Sequence, residues 1–288
     1  MGIRCLVVAA ALGLAGTGFA GDDVLRLQLG LDAAHYSPGE VDGVTGANTR
    51  RALDAWRAAE CRTGGRSPTG PEPLLVPYTL TDADVAGPFA DIPEDMMEKA
   101  ALEALAYTSV AEALAERHHT SPAFLLRVNS GRELRAGVEI LVPNVRREAL
   151  PKVARLVVDA SDRAVIAVDG SGCAVARYPA TMGSENDPLP VGDWKVTEVT
   201  KNPVFNYNPD LFWDADPAHS KAKLPPGPNN PVGVAWIGLS KEHYGIHGTP
   251  EPAQVAKTQS HGCIRLTNWD ALELAEAVAA GTPVVLQE

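Results

Sequence analysis

A cysteine beside a glycine, with a histidine a short distance upstream, is the part of this chain best suited to covalent chemistry. Cys263 lies in the segment SHGCIRL, residues 260–266, and His247 begins the segment HGT. An imidazole with an ordinary pKa of about 6.5 can take the proton of a thiol whose ordinary pKa is about 8.5. The thiolate that forms is the nucleophile, so the pair predicts attack by sulfur on a carbonyl group.

The neighbours of the cysteine can support that attack. Gly262 lets the backbone come close to a reacting carbonyl and can aim an N–H group at the developing oxyanion. His261 is either a second site residue or a structural histidine. Arg265 either contacts the substrate or balances nearby acids, and the residue types leave both alternatives open.

A metal site is the competing interpretation of the histidines. His243 and His247 have the i,i+4 spacing of two zinc ligands on one helix face. Gly245 and Gly248 argue against a helix at this point, and no glutamate follows the first histidine. We therefore expect no metal and no cofactor.

The elements that must position these residues lie in residues 150–288, which have the pattern of a mostly-β domain with one prominent helix. Apolar or alternating runs separated by Asp, Ser and Gly turns predict strands at 154–159, 164–169, 173–179, 191–199, 232–239, 244–247 and 282–287. The segment TNWD, residues 267–270, has the form of a capping box and predicts a helix to about residue 280, with Gly281 as its stop. His247 then ends a strand and Cys263 precedes the helix, so both belong near one edge of the sheet.

The Pro-, Asn- and Gly-rich stretch 202–230 is too long for a plain connection and predicts a loop that lines the site. Its candidate lining residues are Asn206, Tyr207 and Trp213. We expect Trp236 and Tyr244, in the neighbouring hairpin, to pack within the sheet.

The string SHGCIRL, together with YGIHGTPEP upstream, resembles the catalytic motif of bacterial L,D-transpeptidases. The resemblance extends over residues 150–288 and includes LPPGPNNPVGVAWIGLS. It implies a β-sandwich-like catalytic domain that acts on peptidoglycan stem peptides. Cys263 would attack the bond between a diamino acid and a terminal D-alanine, release D-alanine and hold the acyl group as a thioester. His247 would be general base and then general acid, with its ring held by the Gly248 carbonyl.

The same resemblance implies roles for the rest of the motif. His261 would shape the pocket or assist proton movement, and the N–H groups of Gly262 and Cys263 would face the oxyanion. Arg265 would pair with a substrate carboxylate, for which a forked guanidinium is well suited. Ser260 would fix the loop by hydrogen bonding.

The acceptor of the acyl group stays open. It is an amine on a second stem peptide, on a lipoprotein or on a free D-amino acid. Water as the acceptor would make the protein a carboxypeptidase or endopeptidase, and acceptor choice depends on pocket shape and water exclusion. A wall-binding scaffold with a silent site is the alternative from another class.

The first twenty residues have the pattern of an export signal. Arg4 is followed by an apolar run from residue 5 to residue 14, and small residues precede a possible cut after Ala20. We therefore expect residues 1–20 to be removed and the protein to be secreted into the periplasm or cell envelope without spanning the membrane. The net charge of −11 and the lack of a basic run argue against nucleic-acid binding.

Three cysteines remain after removal of that segment, namely Cys61, Cys173 and Cys263. An odd number suggests one reactive thiol. A bond between Cys61 and Cys173 is allowed in an oxidising compartment, and a buried apolar Cys173 is the alternative.

Two accessory modules are predicted before the catalytic domain. Residues 22–60 contain VDGVTGANTRRALDAWR and resemble the small helical peptidoglycan-binding domain, with a helix over 49–59. Residues 61–100 are predicted as a linker and a helix that follows Pro93, with a methionine stripe facing a core. Residues 101–145 contain TSPAFLLRVNSGRELRAGVEILVP and resemble the α+β lysin motif, a helix pair on a two-stranded sheet that binds glycan in other proteins. Its usual Gly-Asp-Thr-Leu start is absent, and His118-His119 is expected at a solvated helix end.

Overall fold

The computed structural model describes residues 21–59 and 68–288. The predicted export signal and Cys61 lie outside the described residues. Cys173 is disulfide-bonded, so the apolar alternative for this residue is wrong. Within the two described ranges, no helix combines the length and the apolar character that a bilayer span requires.

The part of the chain before residue 150 is called the accessory part below. It is built from short helices and one small sheet. Its helices are α1 (Asp22–Ala33), α2 (Ala47–Ala58), α3 (Asp82–Val85), α4 (Met96–Ala100), α5 (Val110–Arg117) and α6 (Pro122–Val128), and its strands are β1 (Leu75–Thr79) and β2 (Glu139–Pro143). Leu25 and Leu29 of α1 pack with Phe124 of α6, which joins the first helices to the following module.

The part after residue 150 is called the catalytic part below, after its predicted role. It is mostly β, as predicted. Its strands are β3 (Arg155–Asp159), β4 (Ala164–Val168), β5 (Ala174–Pro179), β6 (Gly192–Lys201), β7 (Phe205–Tyr207), β8 (Ala222–Leu224), β9 (Ala235–Leu239), β10 (Gly245–His247), β11 (Ile264–Arg265) and β12 (Pro283–Gln287), and its helix is α7 (Asn268–Ala277). Eight of these strands form one sheet in the order β11-β10-β9-β6-β12-β3-β4-β5, while β7 and β8 form a separate hairpin.

Strand β6 belongs to both halves of the large sheet. Its first residues pair with β12, and its later residues pair with β9 after a register shift between Val196 and Glu198. A bulge of this kind bends a strand and increases its twist. Both halves and α7 therefore share one core, in which Val158, Val165, Ile237, Ile246, Leu274 and Val284 are buried.

Helix α7 begins as predicted and ends earlier than predicted. The Thr267 side chain accepts a hydrogen bond from the Asp270 backbone N–H at 3.2 Å. The Asp270 carboxylate does not return to the cap, because it accepts hydrogen bonds from Arg147 and Ser37. The helix ends at Ala277, and Gly281 lies in the following turn with φ of 94°.

The segment predicted as a lysin-motif-like module, residues 101–145, pairs with a strand outside that range. Its sheet pairs β2 with β1, which lies inside the range 61–100 predicted as linker and helix. Pro77 hid this strand, because proline is found essentially only on edge strands. Here β1 has one neighbour in a two-stranded sheet, so the missing N–H is tolerated. Residues 80–109, called the insertion below, therefore separate β1 from α5.

The predicted helix after Pro93 is reduced to the five residues of α4. Met96 and Ala100 pack against Leu105, as expected for a core stripe, but the core is shared with the catalytic part. It includes Tyr207 and Leu224 of the β7–β8 hairpin.

His118 and His119 are not solvated, which corrects the prediction for this helix end. The His118 ring lies edge-on to Tyr78, and burial lowers the pKa of His118 to about 4. The His119 ring stacks on Trp269 of α7 with centroids 5.3 Å apart, and its Nδ1 lies 3.1 Å from Asp32. The end of α5 is packed between parts of the chain, and no sequence signal of α5 itself shows this.

A buried arginine, Arg147, connects α1 to α7. The Arg147 guanidinium lies 2.6 Å from Asp32 of α1, 2.8 Å from Asp270 of α7 and 3.0 Å from Glu273 of α7. The side chains of Asp32 and Asp270 are fully buried. Removing the guanidinium would leave Asp270 without a cation and Asp32 with His119 alone, so this contact holds α1 on α7.

Candidate active site

Strand pairing places the candidate residues on one face of the sheet edge. Strands β10 and β11 are parallel, and His247 is paired with Arg265. The same register places Cys263, two residues earlier, beside Gly245. Strands β9 and β10 are antiparallel, with Trp236 opposite His247. Paired residues share a face and successive residues alternate, so all these side chains lie on the face opposite the core. The alternate residues, Ile237, Ile246 and Ile264, are fully buried in that core.

His247 has one nitrogen committed to the backbone and one left for chemistry. Its Nδ1 lies 2.6 Å from the Gly248 carbonyl oxygen. A carbonyl only accepts, so Nδ1 carries the hydrogen and Nε2 is the basic nitrogen of the neutral ring. Burial, and then the charge of Arg265, lower the pKa of His247 to about 3, against the opposing effect of the Gly248 contact. The ring also stacks on Trp236 with centroids 5.7 Å apart.

Cys263 is a free thiol held against the turn between β9 and β10. Its Sγ lies 3.5 Å from the His243 carbonyl oxygen, to which the thiol donates. Burial raises the pKa of Cys263, while a hydrogen bond from the Gly245 backbone and the charge of Arg265 oppose that rise. With the pKa of His247 lowered as well, the resting site holds a neutral thiol beside a neutral imidazole.

The backbone before the sulfur has a conformation that glycine favours. Gly262 has φ of 96°, and an added Cβ would lie 2.8 Å from the Tyr244 ring. A side chain at this position would therefore be strained and would clash with the ring. Among the described residues, the N–H groups of Gly262 and Cys263 have no hydrogen-bond acceptor, which leaves both available to an oxyanion.

Ser260 and Arg265 flank the cysteine with different contacts. The Ser260 hydroxyl donates to the Cys263 carbonyl at 2.6 Å and closes the loop before β11. Across the described chain, no carboxylate lies within ion-pair distance of the Arg265 guanidinium. Burial lowers the pKa of Arg265, and the negative charges of Glu251 and of Cys263 in its ionised form oppose this. An unpaired, largely enclosed guanidinium beside the thiol is suited to an incoming carboxylate.

Residues 202–230, called the long loop below, reach the site as predicted. His261 Nε2 lies 2.7 Å from Asp214 Oδ1, and the rings of Phe212 and Trp213 lie 5.1 Å and 5.6 Å from the His261 ring. Trp213 remains 62% exposed at the rim. Tyr207 contacts Phe212 and His219 and reaches His261 only through the Phe212 ring.

Comparison with known proteins identifies the domain that holds this site. Residues 154–286 match the L,D-transpeptidase catalytic domain family, YkuD. The putative L,D-transpeptidase YkuD of Bacillus licheniformis is 30% identical over 177 residues, which cover 60% of this chain and 90% of that protein. The chain belongs to the L,D-transpeptidase family.

Two further comparisons give shorter or weaker similarity. The putative L,D-transpeptidase YkuD of Bacillus subtilis is 52% identical over 59 residues, or 20% of this chain and 36% of that protein. The crystal structure of L,D-transpeptidase 3 from Mycobacterium tuberculosis in complex with a faropenem-derived adduct is 19% identical, with a TM-score of 0.39. That match covers 55% of this chain and 76% of the other.

Three residues that contact the candidate residues of this L,D-transpeptidase site were not among those predicted from sequence as functional, namely Trp236, Tyr244 and Asp214. Trp236 and Tyr244 pack within the sheet, as predicted, and this packing places Trp236 against His247 and Tyr244 beside Gly262. A signal for Trp236 existed, because Gly238 and Gly245 make room for its ring: an added Cβ at Gly245 would lie 2.5 Å from it. Asp214 left no signal, since its contact with His261 spans 47 positions of sequence.

The histidines of the alternative zinc interpretation belong to different elements. His243 lies in the turn before β10 with φ of 66°, and His247 lies in β10 itself. Among residues 21–59 and 68–288, no group of three or more His, Cys, Asp or Glu side chains is arranged to hold a metal ion.

Proposed function

We propose that the protein is a peptidoglycan L,D-transpeptidase that uses Cys263 as its nucleophile. The observation that supports this most directly is the shared face of β10 and β11, which presents Cys263, His247 and Arg265 together. A peptide carbonyl above this face would meet a thiol, a basic nitrogen and a cation at once. That is the set of groups that acyl transfer through a thioester requires.

The first step is attack with proton transfer. His247 Nε2 takes the proton of Cys263 as the sulfur attacks the carbonyl carbon on the L-centre side of the scissile bond. Because both groups rest in their neutral forms, the proton moves during attack and no thiolate–imidazolium pair accumulates beforehand. The N–H groups of Gly262 and Cys263 then hydrogen-bond to the oxyanion.

The second step releases D-alanine. The imidazolium of His247 returns its proton to the departing amine as the C–N bond breaks, which leaves the acyl group on sulfur. The Gly248 carbonyl holds the ring in one orientation through both transfers. Arg265 binds a carboxylate of the stem peptide and thereby sets where the scissile bond lies.

The third step transfers the acyl group to an acceptor. An amine of a second stem peptide, of a lipoprotein or of a D-amino acid attacks the thioester carbonyl and the C–S bond breaks. His247 accepts the proton of the amine and passes it to the departing sulfur, which restores the Cys263 thiol. Water in the same place would give carboxypeptidase or endopeptidase activity. The free, enclosed thiol supports catalysis over the silent-scaffold alternative. We propose that the protein acts in the cell envelope after export, and that its accessory modules contact glycan.

Incubation with purified muropeptides, followed by mass analysis, tests this function. We expect the wild type to release D-alanine and form cross-linked or exchanged products. Cys263→Ala should abolish all products, and His247→Ala should reduce them by at least about 100-fold, since general-base catalysis contributes about 10²–10⁴-fold. His243→Ala is the matched control, because that side chain is 56% exposed in the turn. Full activity of purified Cys263→Ala would disprove the assignment, and trimmed products alone would indicate water as the acceptor.

Acylation by a carbapenem gives a second test that needs no cell-wall material. The family resemblance implies that Cys263 opens the β-lactam ring and keeps the fragment as a thioester. Intact mass spectrometry should show one adduct on the wild type and none on Cys263→Ala. An adduct of equal yield on the variant would place the reactive group elsewhere.

A further inference from the structure

The orientation of His261 depends on the long loop. His261 immediately precedes Gly262 and Cys263, and its Nε2 lies 2.7 Å from Asp214 Oδ1. A carboxylate without a proton only accepts hydrogen bonds, so Nε2 carries a hydrogen in this contact. The other ring nitrogen, Nδ1, is buried and has no hydrogen-bond partner among the described residues. Asp214 is therefore the polar contact that sets the direction of this ring.

The long loop is in turn held by the insertion of the accessory part. Leu105 of the insertion is fully buried in a cluster with Tyr207 of β7 and Leu224 of β8, the two strands of the hairpin. Its backbone N–H donates to the Pro226 carbonyl at 3.1 Å, and its carbonyl accepts from the Asn229 N–H at 3.0 Å. These contacts lie at the second end of the loop.

A polar chain holds the middle of the same loop. Asp95 caps α4 in the insertion with one carboxylate oxygen, and its other oxygen lies 2.8 Å from His219 Nε2. The opposite nitrogen of His219 lies 2.9 Å from the Tyr207 hydroxyl. Tyr207 contacts the Phe212 ring, which contacts His261. A continuous series of contacts thus connects the insertion to the residue beside Gly262.

Gly227 shows how closely the two segments meet. It has φ of 147°, and an added Cβ would lie 2.1 Å from the Leu105 carbonyl oxygen. Real Cβ atoms do not approach a backbone oxygen this closely. Any side chain at this position must therefore separate the insertion from the loop.

We propose that the insertion positions the active site: it fixes the long loop so that Asp214 orients His261 and the adjoining segment that carries Cys263. This inference rests on the proposed function, and it assigns Asp214 as a positioning residue. The accessory part then contributes to turnover itself, in addition to any contact with the cell wall.

A double-mutant cycle on muropeptide turnover tests the coupling. Asp214→Ala and Gly227→Ala should each lower kcat by about tenfold, or about 1.4 kcal/mol, with a smaller change in KM. If the insertion acts through Asp214, kcat of the double variant should be no lower than kcat of the less active single variant. Losses that multiply to about 100-fold, or unchanged single variants, would overturn the proposal. Asp214→Asn, which keeps an acceptor oxygen, should recover part of the activity.

The control and the second variant guard against general unfolding. Gly131→Ala is matched to Gly227→Ala, because Gly131 also has a positive φ but no atom lies within 4 Å of its added Cβ. It should keep full turnover. Leu105→Ala removes the packing without a clash and should lower kcat in the same way, with the circular dichroism spectrum preserved. Normal kcat in Leu105→Ala would contradict the proposal even if Gly227→Ala fails to fold.

Hydrogen exchange provides a readout that does not depend on the reaction. In Gly227→Ala, amides of residues 202–230 and 259–263 should exchange faster than in the wild type, whereas Asp214→Ala should affect mainly 259–263. Unchanged exchange at 259–263 in both variants would overturn the proposal. If the exchange result holds but the wild type turns over no muropeptide, the proposed function fails and the positioning role of the insertion stands.

Discussion

Cys263 is surrounded by groups with opposite effects on its ionisation. Burial raises its pKa, and Arg265 and the Gly245 backbone lower it without cancelling that rise. His247 cannot compensate as a resting cation, because burial lowers its pKa to about 3. At the scale of single residues, these shifts favour a neutral thiol at the proposed nucleophile, so we expect its activation to be a step of the reaction.

The pH dependence of thiol alkylation follows from these two shifts. The raised pKa of Cys263 predicts that its rate of reaction with iodoacetamide rises about tenfold per pH unit from pH 6 to pH 8, because only the thiolate reacts. His247→Ala should leave this profile unchanged, since the lowered pKa keeps His247 neutral throughout that range. Alkylation followed by mass spectrometry gives the rate. A plateau between pH 5 and pH 8 that disappears in His247→Ala would mean that a thiolate–imidazolium pair exists at rest.

Strands β9, β10 and β11 create the site by pairing, and none of them contains it alone. Trp236 and His247 are directly opposite in the β9–β10 pair, and Gly245 gives the indole ring the space to lie between the strands' side chains. The missing side chain at Gly245 is thus a requirement of ring packing, since the ring would occupy the position of any Cβ.

Gly245→Ala tests this packing at the scale of the element. The added Cβ would lie 2.5 Å from the Trp236 ring, which must move away from His247. We expect a loss of about 1–3 kcal/mol in stability from overpacking and at least about a tenfold loss of turnover, equivalent to about 1.4 kcal/mol. Thermal unfolding and muropeptide turnover give the two values. Gly170→Ala, with no atom within 4 Å of its Cβ, should change neither, and normal turnover in Gly245→Ala would refute a role for the ring.

The elements also show where local sequence patterns are sufficient. The Thr267 cap of α7 and the alternation in β9 and β10 are local signals. The start of α7 and the two strands lie within the segments predicted for them. Strand β1 was missed because Pro77 contradicts a strand pattern, and only its partner β2 explains why it is tolerated. Helix α4 was predicted too long, since the segment after Ala100 is extended against the hairpin of another module.

At the scale of the whole molecule, buried charge holds the modules together. Burial alone would raise the pKa of Asp32, but Arg147 and His119 hold it well below its ordinary value. Arg147 is enclosed with Asp270 and Glu273 as well, so one guanidinium serves carboxylates of α1 and α7. We therefore expect the accessory part and the catalytic part to unfold together.

Arg147→Met measures that coupling. The variant keeps much of the volume but leaves Asp270 buried without a cation and Asp32 with His119 alone, so the free energy of unfolding should fall by about 3–5 kcal/mol. Arg135→Met is the control, because its ion pair with Glu133 is exposed and should contribute about 0–1 kcal/mol. Urea denaturation of the full chain gives both values. A loss below about 1 kcal/mol for Arg147→Met would show that this contact does not hold the parts together.

The sequence by itself was sufficient for the family and for naming Cys263 as the proposed nucleophile and His247 as the proposed base, because these depend on residue types within short segments. The motif around Cys263 and the strand that ends at His247 are local patterns, and so is the mostly-β character of residues 150–288. Only the tertiary structure decided that Trp236, Tyr244 and Asp214 contact the candidate site residues and that the insertion contacts the long loop. Those contacts join residues far apart along the chain, and their formation depends on the register of pairing and on burial, which no short segment encodes.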